Sequence, residues 1–298
     1  NLSSMKCKYV FLVLFFPSFL MAQVPMIQGH RGCRGLFPEN SLPAFAHALK
    51  IGVRVLEMDV CISSDGQVVV SHEPVMNALY TSKPDGSPVL KAEEESYNLY
   101  QMPYADIKKF DVGQRGNDLF PEQAKLATYK PLLAEVLALG EAFRTQTGEA
   151  VYYNIEIKSD PKGYGQTQPA TVAEFSKLVW AQIQAQVKPE YVMLQSFDFA
   201  VLKYWALAMG RGEIPKVALS ALVTRKSPEA VIKDLGFVPA IYSSNFTDLT
   251  MSVVEKAHAL GMKVIPWTAN ETQQIQGLLD IGVDGVITDY PNRAPKIH

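Results

Sequence analysis

The residues best suited to chemistry come as polar pairs set into apolar runs. Val55-Leu56-Glu57-Met58-Asp59-Val60 is one, and Asn154-Ile155-Glu156-Ile157-Lys158 is the other. In an extended chain, side chains alternate between the two faces, so Glu57 and Asp59 share a face opposite Leu56, Met58 and Val60. Glu156 and Lys158 separate from their isoleucines in the same way. Three carboxylates enclosed together cannot all stay charged without a compensating cation. Their all-oxygen donor set suits calcium or magnesium better than zinc or copper. A structural salt-bridge network built on Lys158 would use the same residues, and spacing alone leaves both readings open.

Two histidines can join this group. Asp65-Gly66 lies between the extended runs Cys61–Ser64 and Gln67–His72, a strong short-hairpin signal. If those two residues form the loop, Ser64 pairs with Gln67, and the register places His72 opposite Asp59. His30 and Arg31 follow directly after the first extended run. A lone histidine at a strand end is more often structural than catalytic. Two histidines beside three carboxylates form a candidate acid–base pair. Arg31 and Lys158 would give positive charge for an anionic group such as phosphate. His47, His258 and His298 have no such setting and read as surface or helix residues.

The elements that must carry these residues alternate along most of the chain. Extended runs are expected at Pro25–Gly29, Val53–Val60, Val151–Lys158, Tyr191–Gln195, Lys216–Val223, Ala240–Ser243, Lys263–Trp267 and Gly285–Thr288. Helical patterns fit between them, among them Pro43–Lys50, Leu132–Arg144, Thr171–Gln186, Phe199–Met209 and Ser252–Leu260. Eight strands with intervening helices predict an α/β fold, the TIM (β/α)₈ barrel, as a single domain over residues 23–298. In that fold the polar pairs would line the interior near the C-terminal rim, where barrel active sites lie. Residues 73–125 break the alternation and read as an insertion after the hairpin. Its Met76, Tyr80, Tyr97, Tyr100, Met102 and Tyr104 are adaptable side chains, which suggests a specificity cap over the site.

Residues 1–22 read as a secretory signal peptide. Met5 is followed by Lys6 and Lys8, an apolar run from Tyr9 to Leu20, and then Met21-Ala22. The run is short for spanning a bilayer, so export to the periplasm or exterior is expected rather than stable membrane insertion. Twenty-eight basic and 30 acidic residues give a net charge of −2, which argues against nucleic acid as a partner. Outside the leader, Cys33 and Cys61 could pair in an oxidising compartment, and their spacing is not that of a zinc site.

In order along the chain, these segments resemble the glycerophosphodiester phosphodiesterases. The match runs through His30-Arg31-Gly32, Pro38-Glu39-Asn40-Ser41, Glu57-Met58-Asp59-Val60, Asp65-Gly66, Val69-Val70-Ser71-His72 and Asn154-Ile155-Glu156-Ile157-Lys158. It ends with Pro266-Trp267-Thr268 and Asp284-Gly285-Val286-Ile287-Thr288-Asp289. The resemblance implies one calcium or magnesium ion on Glu57, Asp59 and Glu156, with His30 and His72 as general acid and base. It implies phosphate contacts from Arg31 and Lys158, a glycerol pocket lined by Trp267, and supporting roles for Glu39 and Asn40 behind His30. Gln195 and Asp289 carry over from strand ends. The products would be glycerol 3-phosphate and an alcohol. One departure is His72-Glu73-Pro74, where the family commonly has His-Asp; it bears on substrate choice. A related lysophospholipase D or sphingomyelinase-like barrel and a non-catalytic surface-binding barrel are the competing expectations.

Overall fold

The computed structural model describes residues 26–295. Its strands are β1 (Met26–Gly29), β2 (Val55–Ile62), β3 (Val68–Val70), β4 (Tyr152–Ile157), β5 (Val192–Ser196), β6 (Ala218–Val223), β7 (Ile241–Ser244), β8 (Lys263–Val264) and β9 (Gly285–Thr288). The helices are α1 (Leu42–Lys50), a one-turn α2 (Tyr104–Ile107), α3 (Leu133–Thr147), α4 (Val172–Gln184), α5 (Phe199–Gly210), α6 (Pro228–Leu235), α7 (Met251–Ala259) and α8 (Thr272–Asp280). Eight strands run parallel in the order β8-β7-β6-β5-β4-β2-β1-β9, and β3 pairs antiparallel with β2. The two ends of this sheet meet: Asp284 N donates to Val264 O at 2.8 Å and Ile287 N to Pro266 O at 2.9 Å. Strand β8 stops early because Pro266 has no N–H to continue the ladder. The result is the expected TIM barrel. The leader expected at residues 1–22 lies outside the described residues.

Alternation along the strands separates two environments. Leu56, Met58 and Val60 point outward into the large core, packed with Phe45, Leu133, Phe175 and Trp205 of the surrounding helices. Fully burying each such side chain contributes about 1.5–3 kcal/mol. Val55, Met193, Ile241, Ile265 and Ile287 point inward and plug the N-terminal end of the barrel. Above this plug the interior turns polar. Asn154 Nδ2 donates to Gln28 Oε1 at 2.8 Å and to Gln195 Oε1 at 3.1 Å, and Gln195 Nε2 donates to Glu57 Oε1 at 2.7 Å.

The hairpin register differs from the two-residue expectation. Val60 opposes Val70 and Cys61 opposes Val69, so Ser71, not His72, lies opposite Asp59. The loop holds three residues: Gly66 N donates to Ser63 O, Gly66 has φ 75°, and Ser63 N donates to Gln67 O. A turn closed by a left-handed glycine adds one residue to the loop and shifts the pairing by one. The excursion after β3 runs on to α3 and buries its own small core of Met76, Val89, Leu99, Ile107 and Phe110 against Cys61 and Val69. Cys33 and Cys61 are free and buried, and burial pushes each thiol up to about 12.

Two helical glycines test the packing. A Cβ at Gly140 of α3 would overlap the hydroxyl of buried Tyr153, whereas one at Gly277 of α8 meets nothing within 4 Å. Gly277→Ala should therefore stabilise the fold by about 0.5–1 kcal/mol, the usual helical gain. Gly140→Ala should reverse that sign and cost about 1–3 kcal/mol through overpacking. Chemical denaturation of the two variants checks this; equal stabilisation by both would refute the close approach of α3 to β4.

Candidate active site

At the C-terminal rim, Glu57, Asp59 and Glu156 bring one carboxylate oxygen each to within 4.8 Å of one another, and all three residues are buried. The barrel forces this proximity, since β2 and β4 are neighbours and Asp59 stands in register with Glu156. Each group is held separately. Glu57 accepts from the backbone N–H of Arg31 at 2.8 Å and from Gln195. Asp59 Oδ2 accepts from Asn40 Nδ2 at 2.9 Å. Glu156 Oε1 accepts from Lys158 Nζ at 2.8 Å. Burial pushes the Glu57 carboxyl well above its usual range, and the charges of Asp59 and Glu156 add to the effect. Burial also acts to raise Asp59, but His72, Arg31 and Lys158 outweigh it and hold that group below the usual range.

The triad could bind a metal ion, and one atom argues that it fits. Asp59 Oδ1 is buried without a hydrogen-bond partner, and Lys158 Nζ is 3.9 Å away. An unsatisfied buried carboxylate oxygen costs free energy that a coordinated cation would recover.

The positive groups come from the β1–α1 turn and the end of β4. Arg31 has φ 49° and Asn40 φ 52°, the left-handed region that few side chains adopt. This shape aims the Arg31 N–H at Glu57 while its guanidinium pairs with Glu39 at 2.6 Å and lies 3.3 Å from Asp59. Gly32 follows with φ 87°, and a Cβ there would collide with Ala44 of α1. Glu39 and Asn40 thus brace this turn. Backbone strain concentrated at one rim is a common mark of a functional site.

The two histidines are held alike. His30 Nδ1 meets Asp289 Oδ1 at 2.6 Å, and His72 Nδ1 meets Glu73 Oε1 at 2.8 Å. Each Nδ1 is engaged by a carboxylate, so each Nε2 is left for a ligand. His30 Nε2 is 4.0 Å from Glu57. Burial draws His30 down to about 4 against the pull of Asp289, so it is neutral at neutral pH. His72 reaches the site although its register differs, because it has left the strand by that point.

These groups line a small cleft of about 130 Å³ that holds His30, Arg31, Glu57, His72, Glu156 and Lys158. Gln195 and Trp267 border the same cleft, so all the sequence candidates except Asp59, Glu39, Asn40 and Asp289 line it directly. Arg34, Phe197 and Leu222 line it too and were not foreseen. Arg34 Nε shares Asp289 with His30 at 2.6 Å, and the His30-Arg31-Gly32-Cys33-Arg34 run held the only sequence sign of it. The tyrosines of the excursion do not form the expected cap. Tyr80 is buried and donates its hydroxyl to Glu73 Oε2 at 3.0 Å, and Pro74 is the excursion's contribution to the larger neighbouring cleft.

Comparison with known proteins now gives this geometry a lineage. The model of the glycerophosphoryl diester phosphodiesterase family matches residues 30–293. The chain belongs to this family. It is therefore a phosphoric diester hydrolase. A Bacillus altitudinis glycerophosphodiester phosphodiesterase is 28% identical over 274 residues, covering 91% of this chain and 97% of the relative. A human lysophospholipase D is 26% identical, covering 95% of this chain and 90% of the relative. Among crystal structures, a Silicibacter pomeroyi protein of the same family name superposes with a TM-score of 0.80 at 32% identity, over 92% of this chain and 93% of that one. An Oleispira antarctica phosphodiesterase, solved with the product sn-glycerol-3-phosphate, is 21% identical with a TM-score of 0.67, over 91% of this chain and 95% of that one. Among the described residues, no helix is long and apolar enough to cross a membrane.

The triad yields a binding expectation that does not depend on turnover. After chelation, calcium or magnesium at a hundredfold excess over its dissociation constant should add about 2.7 kcal/mol of stability. The thermal midpoint should rise by several degrees in wild type and stay fixed in Glu156→Gln. A midpoint unmoved by either ion in the wild type would favour a purely structural ion network.

Proposed function

We propose that the enzyme hydrolyses glycerophosphodiesters to glycerol 3-phosphate and an alcohol, with calcium or magnesium held by Glu57, Asp59 and Glu156. The observation that carries this reading is the pair of carboxylate-anchored histidines beside one acidic triad and two cations. When bound, a divalent ion supplies positive charge that neutralises phosphoryl oxygens. Arg31 and Lys158 reinforce that charge and orient the diester, and charge fixed where it develops in the transition state lowers the barrier. Trp267 and Gln195 line the side of the cleft suited to glycerol.

The roles of the histidines divide by position. His30, neutral and confined to the small cleft, takes a proton from the nucleophile, either water or the substrate's own glycerol hydroxyl. His72, which borders both clefts, gives a proton to the departing alcohol. The product bound to the Oleispira antarctica enzyme supports the glycerol 3-phosphate assignment. The leader-like residues 5–22 support export, so substrate would be met outside the cytoplasm.

Either histidine replaced by alanine should lower kcat by at least about 10²-fold, the lower range for a lost general acid or base. Wild type should give a bell-shaped pH profile and each variant a single limb. Near-normal kcat in His72→Ala would remove it from the chemistry. The human relative motivates a second substrate, so lysophosphatidylcholine belongs in the same assay. Turnover of that lipid in preference to every glycerophosphodiester would replace the diesterase reading with lysophospholipase D.

A further inference from the structure

The nitrogen of His72 left for a ligand is Nε2, since Nδ1 is held by Glu73 Oε1 at 2.8 Å. His72 borders both the small cleft and the larger one of about 650 Å³, and its side chain is 31% exposed. Packing alone therefore does not fix the ring. Its direction depends on Glu73, a long and flexible side chain that is itself 26% exposed. A glutamate free to swing would carry the imidazole with it, and a proton donor displaced by about 1 Å loses much of its rate.

Two contacts remove that freedom, one at each end of the glutamate. At the backbone end, buried Lys130 donates to Ser71 Oγ at 2.8 Å, and Ser71 Oγ donates to Glu73 O at 2.6 Å. At the carboxylate end, the Tyr80 hydroxyl donates to Glu73 Oε2 at 3.0 Å, the oxygen that His72 does not use. Burial acts to raise the Glu73 carboxyl, but the His72 bond and the Lys130 charge draw it below the usual range, so it stays an acceptor. Burial pushes the Tyr80 hydroxyl well above its usual range, with the charges of Glu39 and Glu73 adding, so it stays a donor.

Tyr80 is firmly seated. It is buried, and Thr81 N donates to Asn77 O at 3.0 Å. Ser82 and Asp111 exchange two backbone hydrogen bonds at 2.7 and 3.1 Å, and Arg115 Nη1 donates to Thr81 O at 2.7 Å. The Tyr80 ring centroid lies 5.8 Å from Lys130 Nζ, so the two holds on Glu73 stand side by side. Tyr80 lines neither cleft, and its route to the reaction runs through Glu73.

We propose that Tyr80 is a positioning residue for proton transfer by His72, acting through the Glu73 carboxylate. The proposal rests on the reading above, in which His72 gives its Nε2 proton to the departing alkoxide oxygen as the P–O bond breaks. The test compares two diesters of glycerol 3-phosphate at saturating calcium or magnesium, one releasing ethanolamine and the other p-nitrophenol. The ethanolamine alkoxide needs that proton, whereas nitrophenolate leaves without it. His72→Ala sets the scale, with its loss of kcat confined to the ethanolamine ester. Tyr80→Phe should lower kcat for the ethanolamine ester about tenfold, the lower range for a lost partner behind a working histidine. Its kcat for the nitrophenyl ester and its KM for both should stay within about twofold of wild type. Ile107→Val loosens the excursion's core and controls for general damage, with both esters within about twofold of wild type. Equal losses for the two esters in Tyr80→Phe, an effect on KM alone, or no loss overturns the proposal while the diesterase reading stands. So does an Ile107→Val variant that reproduces the Tyr80→Phe pattern. Equal losses in His72→Ala remove His72 as the acid, and the role of Tyr80 falls with it. A wild type that hydrolyses neither ester overturns the diesterase reading as well.

Discussion

Three carboxylates crowded into the barrel mouth set the terms for everything around them. Glu57 and Asp59 alternate on one strand and Glu156 stands beside them on the next, so the backbone fixes their separation before any side chain chooses a rotamer. Left alone, such a cluster would sooner take up protons than hold its charge, and the upward push on Glu57 and Glu156 records that tendency. The surrounding structure opposes it. Arg31, Asn40, Gln195 and Lys158 each spend a donor on one carboxylate, and Arg31 must adopt a left-handed backbone to do so. The interior below is packed by the apolar cluster of Val55, Met193, Ile241, Ile265 and Ile287.

The excursion after β3 is best understood from the same site. Met76, Tyr97, Met102 and Tyr104 turn inward to form or cover a small core. Tyr80 binds Glu73, which in turn fixes His72 Nδ1, while Lys130 donates to Ser71 Oγ at 2.8 Å and Ser71 Oγ donates to Glu73 O at 2.6 Å. Asn98 ties the excursion to the β4–α4 loop. The segment therefore holds the His72 side chain and one wall of a cleft without covering either. A loop longer than the usual connection earns its place through support as well as contact.

Much of this was legible because strand alternation is a local rule. Leu56, Met58 and Val60 face the helices and Glu57 and Asp59 the interior, as period two requires. All eight expected barrel strands start within two residues of the observed starts, and β8 is cut short at its C-terminal end by Pro266. His72 was brought to the site by a register that is off by one. The conclusion survived because the residue leaves the ladder before side-chain direction matters. Asp289 and Arg34 were faint or invisible, since their link to His30 exists only when the last strand closes on the first, 259 residues away for Asp289. The roles of Tyr80 and Lys130 were hidden for the same reason: hydrogen bonding inside an aperiodic segment leaves no pattern in the chain.

The two histidine–carboxylate pairs are not equivalent, and the difference lies in how each is enclosed. Asp289 is locked by His30, Arg34 and Asn270, so His30 sits in a rigid, enclosed frame with its side chain 13% exposed. A further positive charge there would stand near Arg31 and Arg34 and lose its hydration, which keeps the imidazole neutral and able to accept a proton. His72 is 31% exposed and is held by its sequence neighbour Glu73, whose carboxyl is drawn down by the His72 contact against the upward effect of burial. On the proposed reading, the enclosed histidine would start the reaction and the open one, which borders the wider cleft, would finish it.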